Sequence, residues 1–216
     1  MTINNTPLYG FRLHKSLVGA GIPMFEQMIV ATAQTFAVNG GAQTPVLRPG
    51  DCVSRTTTGG IILCDGAEGS GGATAPYGIV MAIGPQYDAA LGYMKYADSL
   101  ASGIAWGTNL QRQSTVFVCP VQWAEWEIDV DEAVTATTKA AYQALIGENT
   151  DFRNNGAAGE NNLKPLLDIS AHATTATLVW QISGISPTKY NRDFAGTRVK
   201  LLVRPNIWQD TSATGT

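Results

Sequence analysis

The sequence predicts a mainly β protein with one short helix and an irregular N-terminal arm. Only 14% of the 216 residues are charged, and the 23 glycines and 10 prolines supply many turn positions. This composition is typical of all-β chains. The hydrophobic fraction of 44% is too high for a disordered chain. Short apolar runs also alternate with turn signals from Met28 onward. A single stretch, residues 137–146, favours a helix.

Residues 1–25 are predicted to form the arm. Glycine and proline interrupt every hydrophobic period in this segment, yet it is too apolar to be a free tail. Its larger apolar residues are Leu8, Tyr9, Phe11, Leu13 and Leu17, and Arg12, His14 and Lys15 add a small positive group. Such a segment is expected to lie on the body of its own chain or on a neighbouring molecule.

The body is predicted to span residues 26–209, with short strands up to residue 120. Turns are indicated at Asn39-Gly40-Gly41 and at Pro49-Gly50, and the second turn would deliver Asp51–Val53 into a strand. Residues 68–76 have the composition of a flexible loop, and residues 85–113 are less regular. The strand candidates lie in MIVATA, TFAVNGGAQTPV, LRPGDCVSR, IILCDGAE, GIVMAIG and STVFVCPV.

After Pro120 the sequence predicts a strand, the helix and then further strands. The helix is expected at residues 137–146, because Thr137 or Thr138 can cap its start and Gly147 can end it. The segment that follows, ENTDFRNNGAAGENN, is predicted to be a polar loop. Strands are predicted in EWEIDV, LKPLLDI, TTATLVWQISGIS and RVKLLVRPNIWQ, and residues 210–216 are predicted to form a flexible tail.

The strand EWEIDV places its acidic side chains on one face. Glu125, Glu127 and Asp129 would follow one another about 7 Å apart, a spacing close to that of the carboxyl pair of an inverting glycosidase. Asp131 and Glu132 follow, and together with Asp129 they could bind calcium weakly, but the Asp-Gly pattern of a dedicated calcium loop is missing. Nothing in the sequence marks one carboxyl as buried and another as solvated, as a tuned catalytic pair requires. The acids are therefore interpreted as the solvated face of a scaffold.

Other chemistry has little material in this chain. His14 and His172 are predicted to be solvated, and two histidines are too few for a three-histidine metal site. Cys52, Cys64 and Cys119 lie in apolar strand-like settings and are predicted to be buried, inert thiols. The net charge of −3 gives no electrostatic reason to bind nucleic acid. We predict no catalytic residue, no cofactor, no metal site and no membrane-spanning segment.

Four aromatic residues between positions 85 and 113 leave an alternative function open. Tyr87, Tyr93, Tyr96 and Trp106 are separated by glycines and could line a platform for a sugar or a base. No alternating polar partners accompany them, so a core or subunit contact is favoured. A carbohydrate-binding β module that uses these four aromatic residues remains the alternative function.

Several segments together resemble a group of tailed-bacteriophage virion proteins. The resemblance runs in order over nearly the whole chain. The segments are PLYGFRLHKSLVGAGIP, LRPGDCV, GGIILCDG, YGIVMAIGPQYD, VFVCPVQWAEWEIDVDE, LIGENTDF, LDISAHATTATLVWQISGIS and RVKLLVRPNIWQ. Leu13 stands where those proteins commonly have a proline after the arginine. This difference leaves the path of the arm open but does not affect the class of protein that the resemblance implies.

The resemblance implies a head decoration (cement) protein with a β-barrel or β-tulip-like body. Such a protein would be made in the bacterial host cytoplasm. It would sit as a homotrimer on the outer capsid surface and lock neighbouring major capsid subunits together. The body is either one unit over 26–209 or a barrel over 26–120 followed by a second β region over 121–209. The residues expected to contact the capsid or a neighbouring subunit are Leu8, Tyr9, Phe11, Arg12 and Leu13, with Arg12 meeting a carboxylate there.

Two further interpretations compete with this one, and two variants test it. The chain could be a tail or baseplate component of the virion, or a hydrolase that uses the acids of residues 125–132. A triple change of Glu125, Glu127 and Asp129 to Gln is expected to leave function nearly intact, because solvated charges contribute little each. Deletion of residues 2–22 is expected to leave a folded body that no longer occupies the capsid.

Overall fold

The mainly β prediction is confirmed. The computed structural model describes residues 10–19, 25–29, 36–38, 41–43, 46–55, 60–64, 75–88, 93–95, 100–101, 115–131, 138–155, 164–188, 191, 194 and 199–209. These residues form seventeen strands, one α-helix and a 3-10 turn at Val121–Trp123. No helix among the described segments has the length and apolar character needed to cross a membrane.

The elements follow one another mostly over short connections. In chain order the strands and the helix are β1 Arg12–Ser16, β2 Glu26–Ile29, β3 Phe36–Val38, β4 Gly41–Gln43, β5 Val46–Leu47, β6 Cys52–Arg55, β7 Ile61–Leu63, β8 Gly78–Ile83, β9 Gln86–Asp88, β10 Tyr93–Lys95, β11 Leu100–Ala101, β12 Thr115–Pro120, β13 Ala124–Asp129, α1 Lys139–Ala144, β14 Asn149–Asn155, β15 Lys164–Ala173, β16 Trp180–Ile185 and β17 Lys200–Pro205.

Two larger antiparallel sheets organise these strands. The first has the strand order β2-β12-β8-β6-β7 and the second has the order β1-β13-β17-β16-β14-β15. Three further pairs, β3 with β4, β5 with β11, and β9 with β10, form separate two-stranded ladders. The first sheet therefore draws on residues 26–120, whereas the second combines residues 124–205 with the N-terminal strand β1. The division of the chain into domains stays a prediction.

Neither large sheet closes into a barrel within the described residues, so the predicted barrel is not confirmed. A single parallel bridge between Val130 and Leu167 links the end of β13 to β15, at the far side of the second sheet. The backbone N–H of Asp131 donates to the Leu167 carbonyl oxygen (3.0 Å) at the same point. This contact brings the end of β13 close to β15, although no continuous ladder of backbone hydrogen bonds joins the two strands.

The first sheet is apolar on both faces. One face carries Cys52, Ile79 and Cys119, which belong to the main core together with side chains of the second sheet. The opposite face carries a second cluster of buried residues that includes Val53, Val80, Val118, Ile61 and Leu63. Burial on both sides explains why GIVMAIG reads as a continuous apolar run rather than an alternating one.

The helix and the Pro49-Gly50 turn lie where the sequence predicts them. Thr138 caps α1, because its Oγ1 accepts the backbone N–H of Ala141 at 3.2 Å. Gly147 follows the helix with φ of 96°, a left-handed conformation that favours glycine. In the predicted turn before β6, Gly50 has φ of 94°. The strands β3 and β4 pair with Val38 opposite Gly41, as the predicted Asn-Gly turn requires.

The predicted polar loop after the helix is wrong in its first half. Residues 149–155 form β14, which pairs with both β15 and β16. Thr150 and Phe152 are completely buried, and Asp151 accepts the backbone N–H of Val179 at 3.0 Å. The segment has one large apolar residue, so it shows no hydrophobic period, and its strand is set by neighbouring strands instead. His172, predicted to be solvated, lies in β15 and is exposed.

Candidate functional site

The predicted irregular arm is wrong for residues 12–16, because they form β1 at the edge of the second sheet. Arg12 lies opposite Glu127 and Lys15 lies opposite Glu125 in the antiparallel register with β13. Residues three apart would normally face opposite sides of a strand. The register shifts between Leu13 and Lys15, and a bulge of this kind returns the next side chain to the same face. Both cations of β1 therefore reach the acidic face of β13.

Phe11 anchors this strand in the core of its own chain. Its side chain is 2% exposed, and its ring centroid lies 4.6 Å from that of Trp180 and 6.0 Å from that of Phe152. The backbone N–H of Phe11 donates to the Gly50 carbonyl oxygen at 2.9 Å. A Cβ at Gly10 would lie 2.5 Å from the same oxygen, so the chain enters the core through a position that only glycine fits.

The residues predicted to contact the capsid or a neighbouring subunit fall into two groups. Leu8 and Tyr9 lie outside the described residues. Phe11, Arg12 and Leu13 contact their own chain, since Leu13 packs partly buried against the main core. The carboxylate that Arg12 meets is Glu127, at 3.6 Å. Contact of these residues with a capsid or a neighbouring subunit stays a prediction, and Phe11 has little surface left for it.

The acidic residues of β13 are buried, which corrects the predicted solvated face. Glu125, Glu127 and Asp129 are 3%, 6% and 3% exposed. They lie on the side of β13 opposite Trp126 and Ile128, which enter the main core. We call Glu125, Glu127, Asp129, Asp131 and Asp168 the carboxylate row. Burial of carboxylates is costly unless each is paired and hydrogen-bonded, so the partners of the row decide what it can do.

Glu125 has the most partners in the row. Its carboxylate accepts from Lys15 Nζ at 3.0 Å, from Arg204 Nε at 2.9 Å and from Ser183 Oγ at 2.8 Å. Burial acts to raise the pKa of Glu125, but the hydrogen bonds from Ser183, Lys15 and Arg204 outweigh it and lower that pKa below its ordinary value. Glu125 is therefore held ionised.

Glu127 and Asp129 are also paired with cations, Glu127 with one from β1 and Asp129 with one from β17. Glu127 accepts a hydrogen bond from Ser186 Oγ in addition to its ion pair with Arg12. Asp129 Oδ1 lies 2.5 Å from Lys200 Nζ, and the Lys200 side chain is 6% exposed. Asp129 and Lys200 are direct partners in the register of β13 and β17. This ion pair is buried on both sides.

Arg153 of β14 links the last two members of the row. Its Nε lies 2.6 Å from Asp168 Oδ2 and its Nη1 lies 3.7 Å from Asp131 Oδ2. Asp168 Oδ1 also accepts the backbone N–H of Ser170 at 3.1 Å. Burial, with a smaller effect of the Asp131 charge, raises the pKa of the neighbouring Tyr142 to about 12.

The cations form the outer surface of this face. The exposed fractions of the side chains are 52% for Lys15, 45% for Arg204, 39% for Arg153 and 35% for Arg12, against 8% or less for the carboxylates they pair with. The long aliphatic stems of lysine and arginine can cover the acids while their charged ends reach water. Solvent therefore meets positive groups where the sequence alone predicted negative ones.

This arrangement is suited to holding strands together rather than to acid–base chemistry. A catalytic carboxyl pair needs one protonated and one ionised member, whereas every carboxylate of the row has a cation within 4.0 Å. The pairs of the other four carboxylates each join two strands, and Asp131, which follows β13, pairs with Arg153 of β14. The row therefore links β1, β13, β17, β14 and β15. In the part of the chain that the structure describes, no cluster of three or more His, Cys, Asp or Glu could hold a metal ion.

The remaining sequence-predicted residues do not converge on a site. His172 Nε2 lies 3.5 Å from Glu148 Oε2, a pair that attracts only when the histidine is protonated. His14 is exposed on β1. Tyr87 and Tyr93 lie on the β9–β10 hairpin, where Tyr93 is opposite Asp88. Glu132, Tyr96 and Trp106 lie outside the described residues.

The cysteine prediction is confirmed for burial. Cys52, Cys64 and Cys119 are all thiols and are completely buried. Burial raises the pKa of the Cys119 thiol to about 12, with a smaller effect of Glu26. Thiols in such surroundings are poor nucleophiles.

Sequence reasoning missed the cations that neutralise the row, although one signal was present. Asp129 lies opposite Lys200, and the same register continues to Glu125 and Arg204. Two strands whose opposite charges recur at the same spacing of four residues can pair antiparallel with both charges matched. The cations of β1 gave no such signal, because their spacing of three fits a strand only with a bulge.

Comparison of the chain with protein-family models, with curated proteins and with solved structures gives no match.

Proposed function

We propose that this chain is a non-enzymatic structural protein of a bacteriophage virion. In this proposal it binds the outer capsid surface as a homotrimer and cements neighbouring major capsid subunits. The ordered series of segments that resemble decoration proteins suggests the class. A carboxylate row committed to joining strands supports a structural role. A barrel-like or tulip-like closure of the 26–209 body is part of the same proposal.

One observation carries the proposed attachment: apolar side chains are exposed on both sides of the connection from β1 to β2. Leu17, Val18 and Phe25 are 42%, 58% and 41% exposed. A contiguous exposed apolar patch is typical of a surface that a partner covers, and in this proposal the three side chains form one such patch. Since Phe11 and Leu13 are used within the chain, we assign the partner contact to Leu17, Val18 and Phe25 instead. The described part of the N-terminal arm then combines an anchored strand, β1, with the exposed apolar side chains that follow it.

A cementing role also fits the way in which several weak contacts raise the overall binding affinity. A trimer that presents three apolar ends binds several capsid subunits at once, and multivalency raises the overall affinity without one tight contact. A ligand that binds only the assembled capsid stabilises that state by mass action. The apolar ends are therefore expected to matter most for retention on the particle during heating.

The test changes Leu17, Val18 and Phe25 to Ser and measures occupancy on particles that lack this chain. Each buried apolar side chain contributes about 1.5–3 kcal/mol, so we expect the affinity for the particle to fall about tenfold or more. The melting temperature of the isolated protein should stay unchanged, because the three side chains are exposed in it.

The matched control is Ile146→Ser. Ile146 follows α1 and is 46% exposed, so the change removes a similar apolar surface elsewhere and should leave occupancy intact. Full occupancy by the triple variant would refute the assigned contact. Location and copy number in a purified particle separate a decoration protein from a tail or baseplate component, which is present in far fewer copies.

A further inference from the structure

Two of the three buried thiols face each other across neighbouring strands. In the pairing of β6 with β7, Val53 lies opposite Leu63, so the next pair outward is Cys52 and Cys64. The backbone N–H of Cys64 donates to the Cys52 carbonyl oxygen at 2.8 Å. Cys64 Sγ lies 2.7 Å from Ser54 Oγ, and Ser54 is on the same face of β6 as Cys52. The register and the backbone hydrogen bond thus agree on a direct cross-strand pair.

The spacing of such a pair fits a disulfide. Directly opposed residues that share backbone hydrogen bonds in an antiparallel ladder have Cα atoms about 5.5 Å apart. Disulfides occur at Cα separations of about 4.4–6.8 Å. The Cα separation expected of this pair therefore lies within the range at which a disulfide forms.

Cys119 is buried in the same core but cannot take part. Ile79 of β8 lies opposite Cys52 on one side and opposite Cys119 on the other. Two strand spacings put Cys119 about 10 Å from Cys52, beyond the limit of about 7 Å for a disulfide. The chain therefore contains one pair that can close and one equally buried thiol that cannot.

We propose that Cys52 and Cys64 are a disulfide-forming site that staples β7 to β6 when the protein meets a disulfide oxidant such as oxidised glutathione. One thiol first displaces glutathione to form a mixed disulfide, and the second thiol then displaces the other glutathione. The protein loses two protons and two electrons, and the oxidant is reduced to two glutathione thiols. The bond closes a loop from residue 52 to residue 64.

Access to this site depends on the edge position of β7. The strand has three residues, Ile61–Leu63, and pairs only with β6 among the described strands. Burial is the main cause that raises the pKa of the Cys52 thiol well above its ordinary value, so the closed state exposes little thiolate. Oxidation is therefore expected when β7 opens or while the chain folds, and to be slow in the fully folded state.

The experiment refolds the full chain from urea in a mixture of reduced and oxidised glutathione, with a parallel sample oxidised without denaturant. Alkylation, intact mass and peptide mapping then identify the linked cysteines. We expect one Cys52–Cys64 disulfide, an alkylated Cys119, faster closure in the refolding sample and a higher melting temperature than that of the reduced protein.

Matched variants keep the test decisive. Cys119→Ser should form the same disulfide and show the same rise in melting temperature on oxidation. Cys64→Ala should form none, and Cys52→Ala serves in its place if that variant fails to fold. A disulfide that includes Cys119, a mixture of pairs, or a refolded wild type that keeps all three thiols would overturn the proposal.

Discussion

Asp129 and Lys200 show what burial does to a single charged pair. Both side chains are almost fully buried, and they face each other across β13 and β17 at 2.5 Å. A buried pair is weak evidence for stability in itself, because desolvation offsets much of the attraction. Loss of one member is a different matter, since the other charge then stays in the core without compensation. The same reasoning applies to Glu125 and Glu127, whose cations are more exposed.

The residue-scale prediction is that Asp129→Asn destabilises the protein strongly. Removal of one charge from a buried pair costs about 3–5 kcal/mol, so the free energy of unfolding in urea should fall by about this amount. The matched control is Glu148→Gln, which makes the same chemical change in a half-buried carboxylate beside the exposed His172 and should cost about 0–1 kcal/mol. Equal small losses in both variants would contradict a structural role for the buried pair. A strong loss in Asp129→Asn would also argue against the sequence-based expectation that changing Glu125, Glu127 and Asp129 together to Gln leaves function nearly intact.

At the scale of elements, the sequence identified strands that carry their own pattern. In β13, Trp126 and Ile128 alternate with acids, so the strand and its core face could be predicted. In β14, Phe152 is the single large apolar residue, and the strand depends on pairing with β15 and β16 that no local pattern reveals. The burial of the acids was missed for a related reason. Whether Glu125 faces water depends on which strand lies beside β13, and β1 comes from more than a hundred residues earlier in the chain.

The element-scale prediction concerns β1, which we expect to be an integral part of the fold. Phe11→Ala removes a buried aromatic side chain and should lower the free energy of unfolding by about 3–5 kcal/mol. Leu17→Ala, at the exposed end of the same segment, should change it by less than about 0.5 kcal/mol. Deletion of residues 2–22 would remove Phe11 together with Arg12 and Lys15, so the expectation that the rest of the body folds unchanged loses its basis. A Phe11→Ala protein as stable as the wild type would show that β1 is not anchored in the core.

At the scale of the whole molecule, one core joins the two large sheets. Cys52, Ile79 and Cys119 of the first sheet belong to the same buried cluster as Trp126 and Ile182 of the second. The connection also exists in the backbone, because β1 leaves the second sheet and the chain continues into β2 of the first. Two sheets that share a core lose their packing together when either one unfolds. The shared core favours a single cooperative body over 26–209 over two regions that divide near residue 120, and this choice stays a prediction.

We therefore predict one cooperative unfolding transition for both sheets. Ile79→Ala in the first sheet and Ile182→Ala in the second each open a cavity in the shared core and should each cost about 2–5 kcal/mol. Circular dichroism and tryptophan fluorescence should give coincident urea transitions in both variants, as expected of a two-state protein. Hydrogen exchange resolved by peptide should show that each change lowers protection in β8 and in β16 by similar amounts. If Ile79→Ala lowered protection in the first sheet alone, and a second transition remained at the wild-type midpoint, the two sheets would be separate folding units despite their common core.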